Sequence, residues 1–280
     1  MRIPKQDRPC ATWRGVLTSC AFLVWMAGVN AQVQELKIGG TGAALGTMQL
    51  LAQAYAKAAP SETKITVLPS MGSGGGIKAM LAGAIQIGVS SRPLSEAESK
   101  AGAVAVVYGR TPFVFATAAD NNAAGITTQN LVDFYAGKVD QWPDGSKLRL
   151  VLRPIGDSDS ETIKDISDAM RAAKSAAEQR KGMVFSVTDQ ETATSIEKIP
   201  GALGPSTLAL LLSEKRTLKA LALDGVVPSA QTLANGSYPL HKELLLVTGP
   251  KTPPEAQAFV AFVRSAAGRA VLQQTGYWVR

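Results

Sequence analysis

From Glu35 the chain alternates between short apolar runs and helical spacing. Glu35 to Ile38 reads as a strand that ends on Gly39-Gly40-Thr41-Gly42. From Gly46 the apolar positions Met48, Leu51, Tyr55 and Ala58 recur every three or four residues, the period of a helix face, and Pro60 follows as a stop. Lys64 to Leu68 alternates as a strand. Gly72-Ser73-Gly74-Gly75-Gly76 then reads as a loop opening a helix at Ile77 to Leu81, and Ala84 to Val89 is a further strand ending at Ser90-Ser91-Arg92-Pro93-Leu94. This order predicts a parallel sheet with helices packed on it. Loops gathered at one edge of such a sheet are where ligands bind.

Beyond residue 100 the pattern predicts a second lobe. Val104 to Tyr108 is an apolar strand, interrupted by Gly109 to Pro112 and resumed from Phe113 to Thr117 as a first crossing between lobes. Thr128 to Tyr135 reads as a short helix and Leu148 to Leu152 as a strand. Arg153-Pro154-Ile155-Gly156-Asp157-Ser158-Asp159 follows, and then one long polar helix from Ser160 to Arg180. Ile196 to Leu212 holds the turn Pro200-Gly201-Ala202-Leu203-Gly204-Pro205 and a helix, and Leu218 to Leu223 is a strand. Glu243 to Val247 is a buried strand and the return crossing, and Pro253 to Thr275 closes the chain as a helix and tail. The expected division is 1–31 as a leader, 32–110 with 243–280 as one lobe, and 111–242 as the other.

The leader is read from three parts: the basic residues Arg2, Lys5, Arg8 and Arg14, an apolar run from Val16 to Ala27, and the small-residue site Val29-Asn30-Ala31. That is the layout of a secretory signal and predicts export to the periplasm. Leu17-Thr18-Ser19-Cys20 resembles a lipidation site, but most of the apolar run follows Cys20 rather than preceding it, which argues against a lipid anchor. Loss of the leader removes both Cys10 and Cys20, so the exported chain stands on its apolar core without a disulfide.

Composition narrows the chemistry. The chain has 280 residues, 46% hydrophobic and 18% charged, which is globular rather than disordered. One histidine and two cysteines exclude a zinc finger or an iron–sulfur site. The formal charge of +7 is reduced by the loss of the leader, and no dense basic run with interleaved aromatics points to nucleic acid. No Gly-x-Ser-x-Gly elbow occurs, His241 reads as structural, and Asp and Glu form no metal-ligand pattern, so neither catalysis nor a cofactor is expected.

The candidate site lies in the Gly/Ser loops. Gly40-Thr41-Gly42-Ala43-Ala44-Leu45-Gly46 leads into a helix, whose free N–H groups and positive dipole end bind oxyanions. The other reading is a tight turn with a helix cap. Gly72 to Gly76 carries more glycine than a turn needs, and Ser73 either caps the helix or donates to a ligand. Ser90-Ser91-Arg92 offers two hydroxyls beside a cation, or an exposed turn. Arg153 presents a rigid fork of donors for an oxyanion, or pairs with Asp157 or Asp159, and Asp157 to Glu161 fits the start of a helix.

Taken together, these stretches resemble the phosphate-type solute-binding proteins of ABC transporters. The resemblance rests on Gly39 to Ala44, Gly72 to Lys78, Ile87 to Leu94, Leu131 to Trp142 with its Tyr-x-Gly-Lys…Trp pattern, and Pro200 to Gly204, in that order. It implies an α/β, two-lobed type II periplasmic-binding-protein fold, with two mostly parallel sheets flanked by helices and joined by two crossing hinge segments. It implies a monomer that holds inorganic phosphate or a related oxyanion in the cleft and delivers it to an ABC transporter permease. Carried over by position, ligand contacts fall on the first loop (Thr41, Gly42, Ala43, Ala44, Leu45), on Ser73 and Gly74, on Ser90, Ser91 and Arg92, and on Arg153, Gly156, Asp157, Ser158 and Asp159.

Two departures stand out. The family's proton-accepting carboxylate is Ser91 here, and its Ser-Gly-Thr helix start is Asp157-Ser158-Asp159. An unpaired carboxylate beside a dianion repels it. The expectation is therefore that Asp157 or Asp159 accepts the phosphate proton from the opposite lobe. The alternatives are an exported subunit that senses another oxyanion without transporting it, a secreted phosphate-ester hydrolase, and a structural protein.

Overall fold

A computed structural model describes residues 1–2, 35–58 and 63–279. The expected leader, with its Ala31 cleavage site and Cys10 and Cys20, and the helix stop at Pro60 lie outside the described residues.

In chain order the elements are β1 (Glu35–Gly40), α1 (Leu45–Ala58), β2 (Lys64–Val67), α2 (Gly72–Ala82), β3 (Ile87–Ser90), α3 (Glu96–Lys100), β4 (Val104–Ala118), β5 (Gly125–Ile126) and α4 (Thr128–Ala136). There follow β6 (Arg149–Leu152), α5 (Ser158–Lys164), α6 (Asp168–Gln179), β7 (Val184–Phe185), α7 (Asp189–Lys198), β8 (Ala202–Thr207) and α8 (Leu208–Ser213). The chain ends with β9 (Leu218–Ala220), β10 (Ala222–Leu223), α9 (Ala230–Ala234), β11 (His241–Thr248), α10 (Pro254–Val263) and α11 (Ala266–Gln274).

The strand, helix, strand, helix, strand reading of the first segment holds. β1 pairs in parallel with β2 on one side and β3 on the other, so three loops open at one sheet edge. Leu36, Ile38, Ile87, Val89, Leu244 and Leu246 face α1, α10 and α11 through Met48, Leu51, Phe259 and Leu272. On the opposite face Ile85 and Val247 meet Ile77 and Met80 of α2. The second half repeats the plan. Phe113 and Phe115 of β4 pack with Leu131, Tyr135, Leu152 and Met170, while the alternate residues Val114 and Ala116 pack with Ile196 and Leu210. Each half is thus a sheet covered on both faces.

The two halves share their longest strands. Residues 104–112 of β4 run antiparallel to β11, and from Phe113 the same strand exchanges β11 for β8 and β9. The hydrogen-bonded path is therefore continuous, β2-β1-β3-β11-β4-β8-β6-β7, rather than two separate sheets, and it mixes parallel and antiparallel pairs. The expected break at Gly109 to Pro112 does not occur. A register shift between Leu244 and Leu245 of β11 absorbs one residue of β4, and Trp278 pairs with Arg110 on the outer side, so the segment stays extended.

Other differences have local causes. The Gly72–Gly76 stretch is the first turn of α2 and not a loop before it. The long polar helix is two, because Ser167 caps a new start by accepting from the Met170 N–H. The closing helix is likewise two, with Ser265 capping α11. The Leu218 to Leu223 strand divides into β9 on β4 and β10 on β5. The Pro200 to Pro205 turn conceals a fully buried strand, β8. Pro205 lacks the N–H a ladder needs, and the Phe115 carbonyl opposite it accepts instead from Leu221 N–H at 2.9 Å.

Candidate functional site

Three hydroxyls from three segments converge on that of Ser91. Its backbone N–H donates to Ser73 Oγ at 3.0 Å, and its own Oγ lies 3.3 Å from Ser73 Oγ, 3.4 Å from Thr41 Oγ1 and 3.3 Å from Ser158 Oγ. Thr41, Ser73 and Ser91 come from the loop edge of the first half, and Ser158 is the first residue of α5 in the second. Beside them a cavity of about 530 Å³ opens between residues 72–74 and 91–93 on one side and residues 156–158 with Lys242 on the other. The hydroxyls are placed by packing. Gly76 lets α2 lie directly on β1, since a Cβ there would stand 2.6 Å from Gly40 Cα. That contact fixes Ser73 beside Ser91.

The first loop behaves as a helix lead-in. Thr41 precedes a short 3₁₀ turn, Gly42–Ala44, that runs straight into α1, and residues 41–45 are all buried. The turn touches the second half through α7. Gln190 Nε2 donates to the Gly42 carbonyl at 2.9 Å, and a Cβ on Gly42 would meet Asp189 Oδ2 at 2.6 Å. Only glycine permits that approach.

Behind the hydroxyls lies a buried charge cluster. Arg153, 3% exposed, donates from Nε and Nη2 to Asp157 at 3.1 and 2.9 Å, and from Nη1 to the Ser186 carbonyl and Thr192 Oγ1. Its guanidinium also lies 3.7 Å from Asp159 and 3.8 Å from Asp189. Burial alone would lower its proton affinity, but the three carboxylates outweigh burial and raise it. Lys242 Nζ holds Asp159 Oδ1 at 2.9 Å and sits 5.3 Å above the Phe113 ring. Three carboxylates thus face two cations. Asp189 receives no hydrogen bond among the described residues, and burial, with Asp159 next in weight, pushes its carboxyl up to about 7.

The sequence-predicted residues fall into three groups. Thr41, Ser73, Ser91 and Ser158 meet, with Gly74, Gly156 and Asp157 at the cavity and Gly42, Ala43, Ala44 and Leu45 forming the buried first loop. Arg153, Asp157 and Asp159 form the charge cluster, so Arg153 pairs with both carboxylates, that of Asp159 buried and that of Asp157 half-buried. Ser90 and Arg92 are committed elsewhere. The Ser90 hydroxyl donates to the Arg92 carbonyl, and the Arg92 guanidinium grips Glu98 at 2.7 and 2.9 Å. That grip holds the Glu98 carboxyl down at about 2. The expectation that Asp157 or Asp159 accepts a ligand proton meets a structural obstacle. Asp157 is bound twice by Arg153 and caps α5 through the Asp159 N–H, and Asp159 is held by Lys242.

Asp189, Gln190 and Lys242 were not among the residues read from sequence. Thr188 to Glu191 is a capping box in which each end satisfies the other's backbone N–H, and that Thr-x-x-Glu spacing marks a helix start in the sequence itself. Lys242 carries no such signal, since its role depends on the register of β11 against β4.

A two-lobed α/β chain whose loop edges bring hydroxyls and helix starts together around a cavity has the architecture of a solute-binding protein. The chain belongs to the PBP superfamily: the family model described as a PBP superfamily domain matches residues 27–267. Among curated relatives, it is 23% identical over 226 residues to the phosphate-binding protein PstS of Borreliella burgdorferi, covering 78% of this chain and 80% of that one. It is 29% identical over 205 residues to the phosphate-binding protein PstS of Bacillus subtilis, covering 69% of this chain but 64% of that one, just under two thirds. A solved structure of a putative phosphate ABC transporter substrate-binding protein with bound phosphate, from Clostridium perfringens, superposes with a TM-score of 0.75 at 21% identity, covering 88% of this chain and all of that one.

Proposed function

We propose that the chain is an exported solute-binding protein that captures phosphate, or a closely related tetrahedral oxyanion, between its lobes and delivers it to the permease of an ABC importer. The observation that carries this reading is the meeting of Thr41, Ser73 and Ser91 with Ser158 across the two halves. Neutral donors suit a dianion here because Arg153 is already neutralised by its carboxylates. Preorganised hydroxyls and helix-start N–H groups supply the hydrogen bonds that water would otherwise make. The relatives named phosphate-binding proteins support the choice of ligand.

The lobes in this reading are residues 32–110 with 243–280, and residues 111–242. The exchange of partners along β4 after Pro112 supports that division. Closure about the two shared strands brings Ser158 to Ser91 and Gln190 to Gly42, so a bound anion selects the closed state. The chain acts as a monomeric binder without catalysis or a cofactor, in the periplasm.

Thermal unfolding tests the reading. Protein refolded to remove carried-over ligand is scanned with phosphate, arsenate, sulfate and molybdate. A ligand at about 100 times its dissociation constant adds roughly 2.7 kcal/mol of stability. A clear shift with phosphate supports the reading. No shift with any of the four anions overturns it, leaving the fold without this ligand class.

A further inference from the structure

We propose that a cavity on the outer face of the shared strands β4 and β11 is a second binding site, for a small organic carboxylate with a flat apolar body. It stands apart from the hydroxyls of the cleft and does not rest on the solute-binding reading.

The cavity is built by the shared strands and the end of the chain. It measures about 540 Å³, within the range of small-molecule sites. Residues 107–110 of β4 and Glu243 of β11 line it, with Arg264 and Arg269 where α10 ends and α11 begins, and Trp278 and Val279 beyond α11. Backbone bonds hold that last segment in place. The Arg110 N–H donates to the Trp278 carbonyl at 3.0 Å, and the Trp278 N–H donates to the Arg110 carbonyl at 2.8 Å. Gly109 permits the approach, since a Cβ on it would stand 3.0 Å from the Tyr277 ring and 3.3 Å from Val279 Cγ1. Successive side chains of a strand point to opposite faces. Lys242 reaches Asp159 and the cleft cavity, so Glu243 beside it faces away from the cleft and into this one.

The lining sets apolar surface beside donors that the protein leaves unused. Arg110 Nε and Nη2 both donate to one oxygen, Glu243 Oε1, at 2.9 and 2.8 Å, and the guanidinium lies 5.5 Å over the Trp278 ring. Arg110 Nη1 makes no hydrogen bond among the described residues. The Arg264 guanidinium, exposed at the C-terminal end of α10, makes neither a hydrogen bond nor an ion pair among them. Glu243 answers the charge of Arg110, and Arg264 is left as a cation that matches a monoanion. A guanidinium fork fits a carboxylate through two parallel bonds. The Trp278 indole, with Val107 and Val279, offers a flat apolar body a surface that inorganic phosphate has no means to use.

Calorimetric titration of 2-naphthoate into the full chain tests the proposal, with the uncharged 2-naphthamide and the bodiless acetate as comparisons. The expected result is one naphthoate per chain with a dissociation constant below about 1 mM. The amide and acetate each bind about tenfold or more weakly, the one for want of a charge-assisted hydrogen bond and the other for want of apolar contact. Saturating phosphate leaves naphthoate binding in place. Arg264→Ala weakens naphthoate by about tenfold and Arg264→Glu abolishes its binding, while both variants keep phosphate affinity within about twofold of the unaltered chain. Arg264 is exposed at a helix end, so neither change is expected to disturb folding. Absence of saturable naphthoate binding overturns the proposal and requires no variant to fold. Naphthamide binding as tightly as naphthoate, naphthoate competing with phosphate for one site, or naphthoate affinity unchanged in Arg264→Glu also overturns it.

Discussion

Two arginines stand near the cleft, and their partners give them different duties. Arg92 is tied to Glu98, which also caps α3 through the Ser95 N–H, so the pair fixes the turn after β3 rather than a ligand. Arg92→Ala is expected to change phosphate affinity by less than about threefold while lowering stability by about 1 kcal/mol, read by calorimetric titration and urea unfolding. Asp189 makes the opposite kind of prediction. Its folded carboxyl is raised from 3.8 to about 7, so the folded state holds a proton that the unfolded chain releases. Stability from this group therefore falls as pH rises from about 4 to 7 and is level above that. Asp189→Asn is expected to raise the stability of the ligand-free protein at pH 8 by on the order of 2 kcal/mol and to give no such gain at pH 4, as measured by urea unfolding at each pH.

Elements place these residues, and close backbone contact does much of the placing. Gly76→Ala drives a methyl against the Gly40 backbone, which has no flexible end to yield. The expected outcome is a loss of about 2 kcal/mol with α2 displaced, seen as a lower urea midpoint. Gly42→Ala instead presses on Asp189 and Gln190 of α7, a contact across the halves. It is expected to weaken phosphate binding by about tenfold or more with little loss of ligand-free stability, because it opposes closure rather than folding. At this scale the sequence was partly legible. The period of Met48, Leu51 and Tyr55 found α1, and alternation found β2, because one buried face leaves a visible pattern. β8 was hidden because Pro and Gly dominate its flanks and its centre. The division of the long polar helix was hidden because Ser167 looks like any solvent-facing serine until its hydroxyl takes the Met170 N–H.

Over the whole molecule, the shared strands β4 and β11 let two separately cored halves face each other at their loop edges. That meeting was legible as far as local motifs reach: Ser73, Ser91 and Ser158 were picked out, although Ser73 and Ser158 lie in the first turns of α2 and α5 and not on loops. Contacts set by register and by the approach of distant helices were not, which is why Lys242 and Asp189 appear only in three dimensions. The central claim is that one oxyanion is held jointly by hydroxyls from both halves. Calorimetric titration of phosphate into the chain, into Ser73→Ala, into Ser158→Ala and into the double variant tests it most directly. The account predicts one site per chain and a loss of about tenfold or more for each single change, since a hydrogen bond to a charged ligand is worth about 1.5–3 kcal/mol. It also predicts that the two losses are not additive, because both hydroxyls serve one closed state. Phosphate affinity that is unchanged when Ser158 loses its hydroxyl would contradict a site built from both halves.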